Sequence, residues 1–259
     1  MLPGISTACL YPLSTEQSLE TLLALRPACV EVFINAGSEL EPDFLRELRA
    51  RAGSAGARIV SVHPYISGMD PMFLFSGYTR RFDEGAELYR RFYQAACILG
   101  ADCVVFHGDH RLSHLPRQEY FSRFERLWED AREQGVSLCQ ENVERCASHS
   151  VRFIAEMKKA LPRVEYVLDV KQAVRAKQSV FEMARAMGDK IKHVHISDHT
   201  ASESCLPPGK GVFNIEKLLS AIRGNGFSGG VIVELYGENF KDIVELSAGF
   251  QHLCRVLST

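Results

Sequence analysis

VVFHGDH, residues 104–110, sets three apolar residues against a histidine, a glycine and two further polar groups. A strand buried on both faces reads as such a short apolar run, and the polar residues then fall where the chain leaves the sheet. The same pattern recurs on both sides of it. Runs rich in Val, Ile, Phe and Cys at 5–10, 29–34, 58–63, 103–107, 136–140, 165–169, 192–196 and 231–235 read as eight strands. Each is followed by a longer segment with apolar residues three or four apart. Ser14 precedes Gln17 at capping-box spacing, with Leu19, Leu22 and Leu23 on one face, and Pro42 fits a first helical turn that Gly53 stops. Further helices are expected over 78–99, 117–134, 150–161, 180–187, 215–223 and 242–257, several with glycine just beyond. Eight strand–helix units without a proline-rich linker or a break in composition predict one α/β domain over 1–259, a (β/α)8 TIM barrel. An open doubly wound sheet would want a glycine-rich turn after the first strand, where the chain has Cys9-Leu10-Tyr11-Pro12.

The composition suits that fold. The 259 residues are 46% hydrophobic and 24% charged, which argues against disorder and fibrous repeats. Thirty basic against 32 acidic residues leave no surplus of cations for neutralising phosphates, so no nucleic-acid partner is expected. No apolar run approaches the roughly 18 residues of a bilayer span. The start Met1-Leu2-Pro3-Gly4 lacks a basic region followed by an apolar stretch, so a cytoplasmic protein without a membrane partner is expected. The eight cysteines form no CxxC pair and read as reduced core residues, with Cys146 and Cys205 in polar loops that could leave them exposed.

Seven of the eight runs carry ionisable side chains at or near their ends: Glu31, His63, His107, Glu141, Asp169, the pair His193 and His195, and Glu234. Such groups are costly in apolar surroundings unless paired or metal-bound. A barrel gathers all strand ends on one face, where its active sites are built. Glu141, Asp169, His195 and Glu234 would then surround one ion with three carboxylates and an imidazole. That set suits Mn²⁺, Mg²⁺ or Co²⁺ and, less selectively, Zn²⁺. Any single acid could instead pair with Lys171, Lys192 or Arg111, and any single histidine could be a packed core residue. Glu31 could position substrate or brace the barrel mouth. His193 and His195 share strand parity, so one side faces both, with His195 nearer the mouth and His193 deeper. Asp198 could orient His195 or cap its loop.

The ordered set HPY at His63, FHG at His107, ENV at Glu141, LDVKQ at Asp169, HVHISD at His195, PGKG at Pro208–Gly211 and VEL at Glu234 resembles the xylose isomerase-like TIM barrels of the sugar phosphate isomerase/epimerase (AP endonuclease family 2) superfamily. The resemblance covers nearly the whole chain. It implies that Glu141, Asp169, His195 and Glu234 bind one catalytic divalent cation, while His63 and His107 contact substrate or help Glu141 hold a second ion. Many relatives have a histidine three residues after the strand-six aspartate; Gln172 stands there, a poor metal ligand that cannot take a proton. A three-zinc nuclease site of the endonuclease IV type is correspondingly doubtful, the more so because PPGKG replaces that family's Asp-x-His pair.

The resemblance further implies an isomerase or epimerase of a sugar, sugar phosphate or keto-polyol acting through an enediolate, with Glu141 and Glu234 as catalytic acid/base carboxylates that also bind the metal. His63, His107, Lys171 and Gln172 would contact substrate, Lys171 through a carboxylate or phosphate unless it salt-bridges Asp169. An inosose-type dehydratase, the nuclease chemistry and a catalytically silent sugar-binding barrel are the alternatives. Relatives are often dimers or tetramers, so a homo-oligomer is allowed, although no residue pattern marks an interface. Arg80 and Arg81 could clamp an anion if residues 64–77 fold over the mouth, and Phe73, Phe75 and Tyr78 could form an apolar lid; the alternatives are a solvated helix start and a loop packed down on itself.

Overall fold

A computed structural model describes residues 1–258. Eight parallel strands close into a barrel in sequence order, β1 (Leu2–Ser6), β2 (Cys29–Ile34), β3 (Arg58–Pro64), β4 (Cys103–Phe106), β5 (Ser137–Glu141), β6 (Glu165–Asp169), β7 (Ile191–Ile196) and β8 (Gly230–Val233), with β1 pairing both β2 and β8. The helices around them are α1 (Thr15–Leu23), α2 (Pro42–Ser54), α3 (Asp70–Phe73), α4 (Thr79–Leu99), α5 (Arg117–Glu133), α6 (Val151–Ala160), α7 (Val170–Arg175), α8 (Val180–Met187), α9 (Ile215–Gly224) and α10 (Ile243–Ser258). Their apolar stripes, such as Leu19 and Leu22 of α1 or Phe92, Ala96 and Leu99 of α4, are buried against the sheet. No helix of the described residues is long and apolar enough to cross a membrane.

The expected (β/α)8 architecture is present, and the departures are local. The first strand starts earlier than residue 5, because Leu2–Ile5 pair with Gly230–Val233, and it ends at Ser6. The Ser6 hydroxyl accepts from the Ala8 N–H at 3.3 Å and turns Thr7–Leu10 into a 3-10 turn, a local hydrogen bond that competes with the ladder. Two short helices, α3 and α7, fall between the elements expected from the sequence. Cys146 and Cys205 are 2% and 1% exposed, so the polarity of their flanking residues did not place them on the surface.

The segment after β3 packs down instead of arching over the mouth. Phe75 stacks on Tyr120 with ring centroids 4.5 Å apart, and Arg123 Nη1 donates to the carbonyls of Leu74 and Ser76, each at 2.9 Å. Tyr78, Arg80 and Arg81 stay exposed at the start of α4. Asp70 of α3 is buried and anchors this segment, accepting from the Tyr89 hydroxyl at 2.8 Å and from the Gly108 N–H at 3.1 Å.

Burial pushes the Asp70 carboxyl up to about 7, against the opposing effect of those two donors. Its folded pKa therefore lies above the unfolded value near 4, so the protonated form favours folding and that contribution is lost as pH rises from about 4 to about 7. Asp70→Asn, neutral throughout, is expected to exceed the wild type in stability at pH 8 by on the order of 2 kcal/mol, with the gap closing toward pH 4. Urea unfolding at the two pH values checks this; a gap of equal size at both contradicts it.

Candidate active site

The strand ends deliver their polar side chains to one place because the residues beside them are locked. Asn142 Nδ2 donates to the Asp169 carbonyl at 2.9 Å, and the Asp169 N–H donates back to Asn142 Oδ1 at 2.8 Å, coupling the ends of β5 and β6. The buried Gln140 amide donates to the carbonyl of His107 at 2.9 Å while its oxygen accepts from the Tyr120 hydroxyl at 2.6 Å. Gly108 follows His107 with φ +87°, and a Cβ there would lie 2.0 Å from Tyr120 Oη, so only glycine lets β4 leave the barrel by this path. Asp169 ends β6 and caps α7, its Oδ1 accepting from the Gln172 N–H at 2.8 Å. That leaves Oδ2 buried and without a hydrogen bond.

His195 stands at the centre. Its Nδ1 lies 3.2 Å from Glu141 Oε1, 3.4 Å from Glu234 Oε2 and 3.6 Å from Asp169 Oδ2, and its Nε2 lies 3.0 Å from Glu31 Oε2. One atom from each of Glu141, Asp169, His195 and Glu234 falls within 4.8 Å of the others, the four residues singled out from the strand ends. His63, His107 and Glu141 meet the same criterion, and so do Glu31, His193 and His195. His193 is deeper in the barrel, 3.1 Å from Glu31 Oε2 and from Ser61 Oγ, which itself donates to Glu31 at 2.8 Å. His193 and His195 both face inward, as their parity predicts.

Lys171 also reaches this centre. Its Nζ lies 2.5 Å from Glu234 Oε2 and 3.3 Å from Asp169 Oδ2, with the Tyr236 ring beside it. It does so from the first turn of α7, not from a strand. Lys192 and Arg111 pair instead with Asp102 and Glu144. Gln172 Oε1 accepts from the Glu144 N–H at 3.0 Å. Asp198 accepts from the backbone of His199, Gly209 and Phe213, the role of a loop cap and not of a support for His195.

The buried charges set one another's protonation. Burial disfavours the charged form of His195, but Glu234 and Glu31 outweigh it and hold the imidazole well above its usual pKa. Burial likewise opposes ionisation of Glu141, yet hydrogen bonds from His107 and His195 hold that carboxyl well below the ordinary range. For Glu234, His195 and Lys171 do the same. At Asp169 burial wins, in spite of Lys171, and the carboxyl is pushed up to about 6. Burial pushes His63 down to about 4.

A cavity of about 580 Å³ opens above these groups, between Tyr11, Tyr65 and Tyr236 at the mouth. Glu141, Glu234, His63, His107, Lys171 and Gln172 line it; Asp169 and His195 do not reach its wall. Arg145 also lines it, with Nη2 3.1 Å from His107 Nδ1. Sequence reasoning passed over Arg145. The available signal was its place four residues after Glu141, in a loop leaving the functional end of a strand.

A sequence model described as the xylose isomerase-like TIM barrel matches residues 28–258. Among solved structures, a D-tagatose 3-epimerase-like protein is 20% identical, with 100% of this chain and 97% of that one covered and a TM-score of 0.83. A D-psicose 3-epimerase from Clostridium cellulolyticum H10, solved with D-tagatose, is 17% identical over 99% of each chain with a TM-score of 0.79. An IOLI protein with a bound zinc atom is 18% identical over 99% of this chain and 96% of that one, with a TM-score of 0.77. No curated protein sequence matches the chain.

Lys171→Met is expected to leave Asp169 and Glu234 without their buried counter-charge and to cost on the order of 3 kcal/mol in the chelator-treated protein. Urea unfolding at pH 7 measures it. An unchanged midpoint would show that the ammonium is not what compensates these acids.

Proposed function

The chain belongs to the xylose isomerase-like TIM barrel family, and on that premise we propose that it is a divalent-metal-dependent isomerase or epimerase of a sugar or sugar-derived keto-polyol. The observation that carries this reading is the division among four clustered residues. All offer a ligand atom to one point, but only Glu141 and Glu234 also border the cavity. Asp169 and His195 are then ligands alone, and Glu141 and Glu234 are ligands that a substrate can touch.

The residues present fit a hard divalent cation. Three carboxylates and an imidazole converge, Asp169 Oδ2 is buried and makes no hydrogen bond although the Lys171 ammonium lies 3.3 Å away, and Nδ1 of His195 faces the three acids while Nε2 is braced by Glu31. Mn²⁺, Mg²⁺, Co²⁺ or Zn²⁺ held there would polarise a substrate carbonyl and acidify the neighbouring C–H. Glu141 and Glu234, held ionised by His107, His195 and Lys171, are able to accept a proton at neutral pH. The same carboxylate, or its partner across the cluster, returns the proton, to the other face of the same carbon for epimerisation or to the adjacent carbon for isomerisation. His63, His107 and Gln172 supply hydrogen-bonding groups along the wall, and Lys171 offers an ammonium to substrate oxygen or to an anionic substituent.

The nuclease alternative lacks the histidine it would need at position 172, where the Gln172 amide oxygen instead accepts from the Glu144 N–H. An inosose-type dehydratase would use the same proton abstraction.

With ketoses, inososes or hydroxypyruvate in deuterated water, the manganese-loaded protein is expected to exchange a substrate C–H proton with solvent. Glu141→Gln and Glu234→Gln are each expected to slow that exchange by at least roughly 10²-fold, with an unchanged circular dichroism spectrum. Wild-type exchange in the Glu141→Gln protein, or exchange indifferent to a chelator, would refute the proposal.

A further inference from the structure

We propose that Arg145 is a positioning residue that fixes the proton on His107 and thereby closes the His63–His107–Glu141 cluster to a second cation, so that the site takes one divalent ion. The inference rests on the metal reading above and adds to it a count and a cause. A guanidinium has five N–H donors and no acceptor. Because Arg145 Nη2 lies 3.1 Å from His107 Nδ1, that nitrogen presents its lone pair, and the ring is neutral with its single proton on Nε2. Turning the ring over would put carbon opposite Arg145 and opposite His63, losing both contacts.

The consequence passes to the neighbour. His107 Nε2 lies 3.1 Å from His63 Nε2 and 2.8 Å from Glu141 Oε2. Two N–H groups would clash head to head across 3.1 Å, so His63 Nε2 accepts, and its own proton resides on Nδ1, an atom with no other partner. A metal ion needs the lone pair of a ring nitrogen. Of the two imidazole nitrogens that face each other in this cluster, His107 Nε2 carries a proton and His63 Nε2 is already accepting it. The guanidinium charge beside His107 adds repulsion against a further cation. His195 is free of this constraint, because its Nδ1 faces only carboxylates and its proton there can be exchanged for an ion.

The test uses the full-length protein, stripped with a chelator. Two-bond nitrogen–proton NMR of the metal-free wild type is expected to show His107 as the Nε2–H tautomer; an Nδ1–H form overturns the proposal without any variant. Titration with Mn²⁺ alone, read by elemental analysis after desalting and by electron paramagnetic resonance, is expected to give one equivalent for the wild type. Arg145→Leu, which removes the donor, is expected to gain a second equivalent with a spin-coupled signal, and Arg145→Leu with His107→Phe is expected to return to one. Arg145→Lys, another donor without an acceptor, is expected to stay at one. A wild type that takes two ions, or a folded Arg145→Leu protein that takes only one, overturns the proposal. A wild type that takes none refutes the metal reading itself and this inference with it.

Discussion

Four carboxylates, Glu31, Glu141, Asp169 and Glu234, are buried together at one end of the barrel. Isolated, each would be too costly to ionise there, and the arrangement survives because His195 and Lys171 stand between them. His195 uses both edges of its ring, Nε2 toward Glu31 and Nδ1 toward the other three acids. Lys171 bridges Glu234 and Asp169. Four acids against two cationic side chains leave an excess of negative charge, and Asp169 Oδ2 has ion-pair neighbours but no hydrogen bond; on the proposed reading a divalent cation would supply the balance.

The surroundings serve that balance by holding the acids still. The reciprocal bonds of Asn142 and Asp169 tie β5 to β6, and the Gln140 amide ties β5 to the end of β4. On the far side of His107, Asp70 and Arg123 fasten the segment after β3 so that it packs against Tyr120 and leaves the mouth open. A cavity of about 580 Å³ is thereby kept over Glu141 and Glu234, large enough for a small sugar-like substrate. Rigid walls around a few convergent polar groups are the arrangement that proton transfer at a carbon centre calls for.

Much of this was legible from local pattern. Strands β2, β6 and β7 and helices α4, α5 and α8 follow from apolar periodicity and from the residues that start and stop them. The four clustered residues followed from one further step, that a closed barrel brings all strand ends together. What escaped has physical reasons. The Ser6 hydroxyl captured the backbone and ended β1 early, an effect no periodicity reports. Residues 170–175 coil because Asp169 caps them, so Lys171 approaches Glu234 from a helix. Arg145 gained its place only when the loop after β5 set its guanidinium against His107.

By itself, then, the chain's order of residues determined the repeating strand–helix unit, the closure into eight and the identity of the acids and histidines at the rim, because burial and periodicity are properties of neighbours in sequence. Which of those groups touch was decided only when distant segments met. That Glu141 and Glu234 border the cavity while Asp169 and His195 do not, that Lys171 is the counter-charge and Lys192 is not, and that Arg145 lies against His107 all depend on distances of a few ångströms between residues 26 to 93 positions apart. Electrostatic and hydrogen-bond energies vary steeply over such distances, and no spacing along the chain encodes them.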